Sequence, residues 1–134
     1  MRSLLNPTGK GIRVDAGGDG HFGAKRGKRW HKGLDFFCTP GQDIVAPDKG
    51  FVTRVSFPYG DDLSWKGIVL QLDWCRIKMF YLDPFVKVGA QVYRGQVIAK
   101  AQDITLRYPK LNMSPHIHLE FEDIIPDPEF FMEV

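Results

Sequence analysis

Glycine and proline punctuate this chain throughout: 14 Gly and 9 Pro fall within 134 residues. The stretches they leave are short and rich in Val, Ile, Phe and Tyr: DFFC, DIVAP, GFVTRVSF, GIVLQLDW, CRIKMFYL, FVKVG, QVYRGQVIAKA and HIHLEF. None keeps a 3.6-residue apolar period, whereas several alternate with period 2, the pattern of half-buried strands joined by tight turns. The expected fold is therefore all-β, a single-domain antiparallel sheet of barrel- or sandwich-like form, with no internal helix required. Hydrophobic residues make up 43% of the chain, enough for the core of one domain of this length. Residues 1–29 read as a glycine-rich basic arm wrapping a domain that spans 30–134. Residues 59–67 and 103–115 read as two long loops, where a β scaffold usually carries its specificity.

Within the last of those strands, SPHIHLEF, period 2 puts His116, His118 and Glu120 on one side and Ile117, Leu119 and Phe121 on the other. The apolar side feeds a core. Two imidazoles about 7 Å apart along a strand need partners if water is excluded, and a metal ion is the most economical common one; an isolated HxH is more often a strand showing histidine to solvent.

A second polar spacing decides between them. In HKGLD, His31 and Asp35 stand at i and i+4, about 13 Å apart if the strand were straight. That is too far for one ion with ligand bonds near 2 Å, so the chain is expected to bend at Gly33. His31, Asp35 and one histidine of HIH would then surround a divalent ion with two imidazoles and one carboxylate, leaving a fourth position open to water, as in catalytic zinc sites. The remaining histidine of the pair would stand beside that position as a proton acceptor.

Other signals carry less. GDGHFG, residues 18–23, matches a dinucleotide-binding glycine pattern but leads into AKRGKRWHKG, which has no helical face, so no nucleotide is expected and His21 reads as a plain loop residue. DIVAPDKGFV and VKVGAQVYRGQVIA resemble biotinyl and lipoyl carrier hairpins, but Lys78 lies inside an alternating strand rather than at a turn, which excludes a swinging arm. The net charge is +2, yet residues 1–34 hold eight Lys/Arg against two acids, centred on KRGKR at 25–29. A five-residue basic loop is a weak nucleic-acid signal, and no nucleic acid is expected as partner. Cys38 and Cys75 match neither a metal knuckle nor a disulfide framework and read as reduced thiols. No stretch is long enough to span a bilayer or to serve as a secretory leader.

Taken together, HKGLD, DIVAPDKGFV, VKVGAQVYRGQVIA, SPHIHLEF and the closing DPEFF resemble the lysostaphin-type zinc metallopeptidases, over residues 20–131. The resemblance implies one zinc per chain held by His31, Asp35 and His118 in a groove flanked by the long loops, with His116 as catalytic histidine. It also implies hydrolysis of peptide cross-links in bacterial peptidoglycan, with peptide stems or cross-bridges as partners and a monomer as the working form. A wall-cutting domain without a leader suggests a virion-borne or envelope-released phage enzyme; a cytoplasmic protein or a mature secreted fragment is the alternative. One departure stands out: Met79-Phe80-Tyr81-Leu82 occupies the place of a Tyr-x-His-Leu strand, so Tyr81 replaces a family histidine. In this detail, and in HFGAKRGKRWHKGLDFFC and CRIKMFYL, the chain is similar to the leukocyte chemotaxin branch, where the same zinc fold serves as a binding module. Tyr81 is thus expected either as a neutral hydrogen-bond donor to a developing oxyanion or as a core tyrosine on the side of Ile77 and Met79. Trp30, beside His31, reads as a packing residue.

Overall fold

The computed structural model describes residues 3–124, 128–131 and 133. Two short ribbons lie in the N-terminal arm, β1 (Val14–Asp15) with β2 (Gly18–Asp19) and β3 (Lys25–Arg26) with β4 (Arg29–Trp30). The remaining strands are β5 (Gly33–Phe37), β6 (Asp43–Val45), β7 (Gly50–Ser56), β8 (Gly67–Leu72), β9 (Cys75–Phe80), β10 (Leu82–Pro84), β11 (Gln91–Val92), β12 (Val97–Ala101) and β13 (His116–Ile124). They form a six-stranded sheet ordered β11-β7-β8-β9-β13-β5 and a three-stranded sheet ordered β10-β12-β6, with every pairing antiparallel. The all-β expectation holds. Helix is confined, among the described residues, to one 3-10 turn, Ile104–Leu106, inside the second long loop, and four residues, Pro128–Phe131. Asp127, the first residue of the DPEFF motif, lies outside the described residues, as do 1, 2, 125, 126, 132 and 134.

The alternation read in the sequence sets the layers. In CRIKMF the buried residues are Cys75, Ile77 and Met79, and the register aligns Met79 with both Ile68 and Leu119 and Ile77 with Leu70. These side chains meet Ile44, Leu82, Ile98 and Ala101 of the three-stranded sheet in one contiguous core. Cys38 and Cys75 are buried in it, unpaired, and burial pushes each thiol up to about 11, so neither is a nucleophile near neutral pH.

FVKVG is not a strand. Residues 85–89 form turns between β10 and β11, bounded by Pro84 and by Gly89 at φ +86°. The Phe85 N–H donates to the Ile98 carbonyl and the Gly89 N–H to the Val52 carbonyl, while Phe85 and Val88 face solvent. Four residues of alternation between two breakers are too few to build a ladder.

The arm closes the outer edge of β5. Asp35 accepts from the Arg13 N–H at 2.7 Å and donates to the Gly20 carbonyl at 2.9 Å, Phe37 donates to the Gly11 carbonyl, and Ile12 bridges Phe36. An edge that would otherwise offer free backbone groups is thereby covered, and Arg13 is delivered to the side chain of Asp35.

Candidate metal centre

Antiparallel register brings the two motifs together. His118 on β13 lies opposite Asp35 on β5 and opposite Phe80 on β9, and the Phe80 ring stacks on the imidazole at 5.9 Å. His31 follows β4 directly and turns back toward Asp35. The three ligand-type atoms form a nearly equilateral triangle: His31 Nε2 to His118 Nδ1 3.1 Å, His31 Nε2 to Asp35 Oδ1 3.2 Å, His118 Nδ1 to Asp35 Oδ1 3.0 Å. Tetrahedral ligands at 2.0–2.1 Å from a zinc ion are separated by about 3.3 Å. The donor set therefore fits one such ion, and His31, Asp35 and His118 could hold it.

The opposite ring nitrogens strengthen this. His31 Nδ1–H donates to the His21 carbonyl at 3.0 Å, and His118 Nε2–H donates to Glu120 Oε1 at 3.0 Å. Such partners fix the tautomers and turn the free lone pairs inward. Three lone pairs then converge on one point, an arrangement that calls for a cation. Burial raises the Asp35 pKa, but hydrogen bonding to His118 and the neighbouring imidazoles outweigh it and leave the carboxyl below its ordinary value. Its second oxygen, Oδ2, receives Arg13 Nη2 at 3.2 Å and has Arg26 Nη2 at 3.7 Å.

His116 stands one pleat away. Its Nδ1–H donates to the Ser114 carbonyl at 2.9 Å, which leaves Nε2 as an acceptor 3.9 Å from Asp35 Oδ2. Burial lowers the His116 pKa, only partly opposed by the Ser114 carbonyl and Asp35, so the ring is neutral at pH 7. Facing it edge-on at 5.8 Å is Tyr81. Strict alternation after Phe80 would carry Tyr81 to the core side with Ile77 and Met79. Instead Tyr81 adopts φ +74°, a left-handed conformation costing an L-residue about 1–2 kcal/mol, and its ring lines the groove with the histidines. Burial raises the phenol's pKa, so it is an uncharged donor. Its oxygen lies 3.4 Å from Tyr59 Oη, which lies 2.7 Å from Tyr108 Oη. Tyr59 and Tyr108 come from the two long loops, so these do flank the groove, a cavity of about 520 Å³.

All five residues singled out in the sequence, His31, Asp35, His116, His118 and Tyr81, line this one cavity. His31 and Asp35 do come together, and Gly33 between them also has a steric role: a Cβ there would come within 2.2 Å of the Leu119 carbonyl and 2.8 Å of His118 Cε1, so glycine permits β13 and its imidazole to approach. Trp30 is not packed; it is 66% exposed. Two contributors went unread. Arg13 is one, since nothing in GIRVDAGG marks a buried arginine. Glu120 is the other, although it follows His118 at the same-face spacing.

The profile of peptidase family M23 matches residues 29–125, and the chain belongs to that family. Leukocyte cell-derived chemotaxin-2 of Bos taurus is 28% identical over 119 residues, covering 88% of this chain and 76% of its own. Among solved structures, the catalytic domain of the antimicrobial peptidase lysostaphin from Staphylococcus simulans superposes with a TM-score of 0.58 at 24% identity, over 85% of this chain and 89% of that one. A Helicobacter pylori Csd3 structure matches 98% of this chain with a TM-score of 0.62 at 18% identity, yet the chain spans only 33% of Csd3. These likenesses establish the fold. No helix among the described residues is long and apolar enough to cross a membrane.

Proposed function

We propose that the protein is a zinc-dependent endopeptidase acting as a monomer on peptide stems or cross-bridges of bacterial peptidoglycan at the cell envelope, with residues 30–134 as catalytic domain and 1–29 as its accessory arm. The observation that carries this is the triangle of His31 Nε2, Asp35 Oδ1 and His118 Nδ1 with the acceptor nitrogen of His116 beside it. Bound zinc would supply a Lewis acid for the scissile carbonyl and bring the pKa of water toward neutrality. His116 Nε2 takes the proton of the attacking water and hands it to the leaving amine, and Ser114 holds the ring in the tautomer that this needs. Tyr81 donates its phenolic hydrogen to the developing oxyanion, its orientation supported by Tyr59. Phe80, stacked on His118, keeps bulk water from the metal side.

Tyr81 also favours a second reading, a zinc-stabilised binding module of the chemotaxin kind, because a phenol cannot bear the positive charge of the histidine it replaces. Tyr81→Phe separates the two. If Tyr81 serves the oxyanion, release of new amino groups from purified peptidoglycan falls by roughly 10²-fold with zinc content unchanged. Native turnover indifferent to this change would remove Tyr81 from the mechanism. No native turnover on any cross-link type would leave the binding module.

A further inference from the structure

The KRGKR segment is a hairpin rather than an irregular loop. Residues 25–30 form a two-residue hairpin whose turn begins at Gly27, φ +61°, where glycine meets the positive φ that such turns need. Its register sets Arg26 directly opposite Arg29 and Lys25 opposite Trp30. Directly opposed side chains share one face of a ribbon with Cβ atoms about 5 Å apart, and like charges in that position repel. Both arginines line the groove that holds His31, Asp35, His116 and His118.

The charge there is unbalanced. Three arginines, Arg13, Arg26 and Arg29, line the groove against the single carboxylate of Asp35. Arg13 is committed to Asp15 and Asp35. Arg26 donates to the Asp19 carbonyl and lies 3.7 Å from Asp35 Oδ2. Arg29 has no ion pair or side-chain hydrogen bond among the described residues. Two arginines paired across the ribbon and lining one groove, Arg29 without an ion pair or side-chain hydrogen bond among the described residues, bring forked donors of the kind that a carboxylate accepts.

We infer that Arg26 and Arg29 form a carboxylate-binding subsite beside the metal centre, and that the substrate is a peptide bearing a free carboxylate next to the scissile bond rather than a neutral glycyl bridge. The inference rests on the peptidase reading above. Proximity argues for a substrate side chain over a remote anionic polymer: through Arg26 the pair reaches within 3.7 Å of the proposed metal ligand Asp35, so its anion must lie within about one residue of the reacting carbonyl.

The test uses zinc-loaded protein and two cross-linked muropeptides that differ only in whether the diaminopimelyl carboxyl is free or amidated. Affinities are measured by calorimetry in a His116→Ala background, where turnover is suppressed. The free acid is expected to bind roughly 10- to 100-fold more tightly than the amide, the range of a charge-assisted hydrogen-bonded pair. Arg29→Gln, which breaks no ion pair or side-chain hydrogen bond among the described residues, should remove most of that margin, and the Arg26→Gln, Arg29→Gln pair should remove all of it. Equal binding of the two probes to the Arg26/Arg29-intact protein, a margin that survives the double substitution, or no binding of either probe overturns the subsite. So does binding of poly(ribitol phosphate) that is lost in the double variant while the two muropeptides are not distinguished. Failure of the native zinc protein to cleave either probe counts against the peptidase reading alone, since the affinity pair still decides the subsite.

Discussion

Arg13→Met should destabilise the protein far more than an arm residue ordinarily would. The guanidinium is almost wholly buried, with 4% of its side chain exposed, and bridges Asp15 Oδ1 at 2.9 Å and Asp35 Oδ2 at 3.2 Å. Removing one partner of a buried ion pair costs about 3–5 kcal/mol, because the other charge is left uncompensated. The lower end applies here: Arg13 Nε is buried without a partner, so the native arrangement is not fully satisfied, and Arg26 remains 3.7 Å from Asp35. An unfolding entropy of about 2.1 cal/mol/K per residue over 134 residues converts about 3 kcal/mol into a fall in Tm of roughly 10 °C. Thermal unfolding should be followed by circular dichroism in the presence of a chelator, so that zinc cannot stand in for the missing cation. Arg13→Lys, which restores charge without the fork, should recover part of the loss. A fall below about 3 °C for Arg13→Met would show that the two carboxylates need no buried countercharge.

Metal analysis should find about one zinc per chain, and the His31→Ala, Asp35→Ala pair should abolish it; Glu120→Gln should keep the ion but bind it roughly 10- to 100-fold more weakly by competition with a chromophoric chelator, as loss of an outer-sphere partner does. Glu122 accepts from Arg54 and Arg76, and these bonds, Arg54 first, hold its carboxyl down at about 2 from an ordinary 4.5. A carboxyl depressed in the folded state stabilises above its unfolded pKa, and that stability is lost as pH falls through the folded value. Arg54 is half exposed, so screening limits the contribution to about 1 kcal/mol. Denaturant midpoints of native protein and Glu122→Gln should accordingly differ at pH 7, converge between pH 5 and 2, and coincide below; a constant difference across that range would mean that Glu122 acts through packing.

Much of this was legible because strand chemistry is local. CRIKMF and HIHLEF declare their faces by alternation, and the pairing of HKGLD with HIH followed from what a metal ion needs. Three features were not legible. Tyr81 faces the histidines only because its backbone is left-handed, and alternation would send it to the core. Arg13 reaches Asp35 through backbone pairing of the arm with the edge of β5, a long-range contact that no local pattern in GIRVDAGG encodes. Gly33 reads as a hinge in sequence, and the room that its missing side chain makes for His118 is a steric fact that appears only when the strands are side by side.

The most direct test compares new amino groups released from purified peptidoglycan by native protein and by His116→Ala, each carrying one zinc per chain. In the proposed mechanism His116 acts through Nε2 and is not among the three metal-facing residues, so the variant should keep its zinc and lose roughly 10²- to 10⁴-fold in rate. Equal rates, loss of zinc from His116→Ala alone, or no release by the fully loaded native protein would contradict the proposed chemistry.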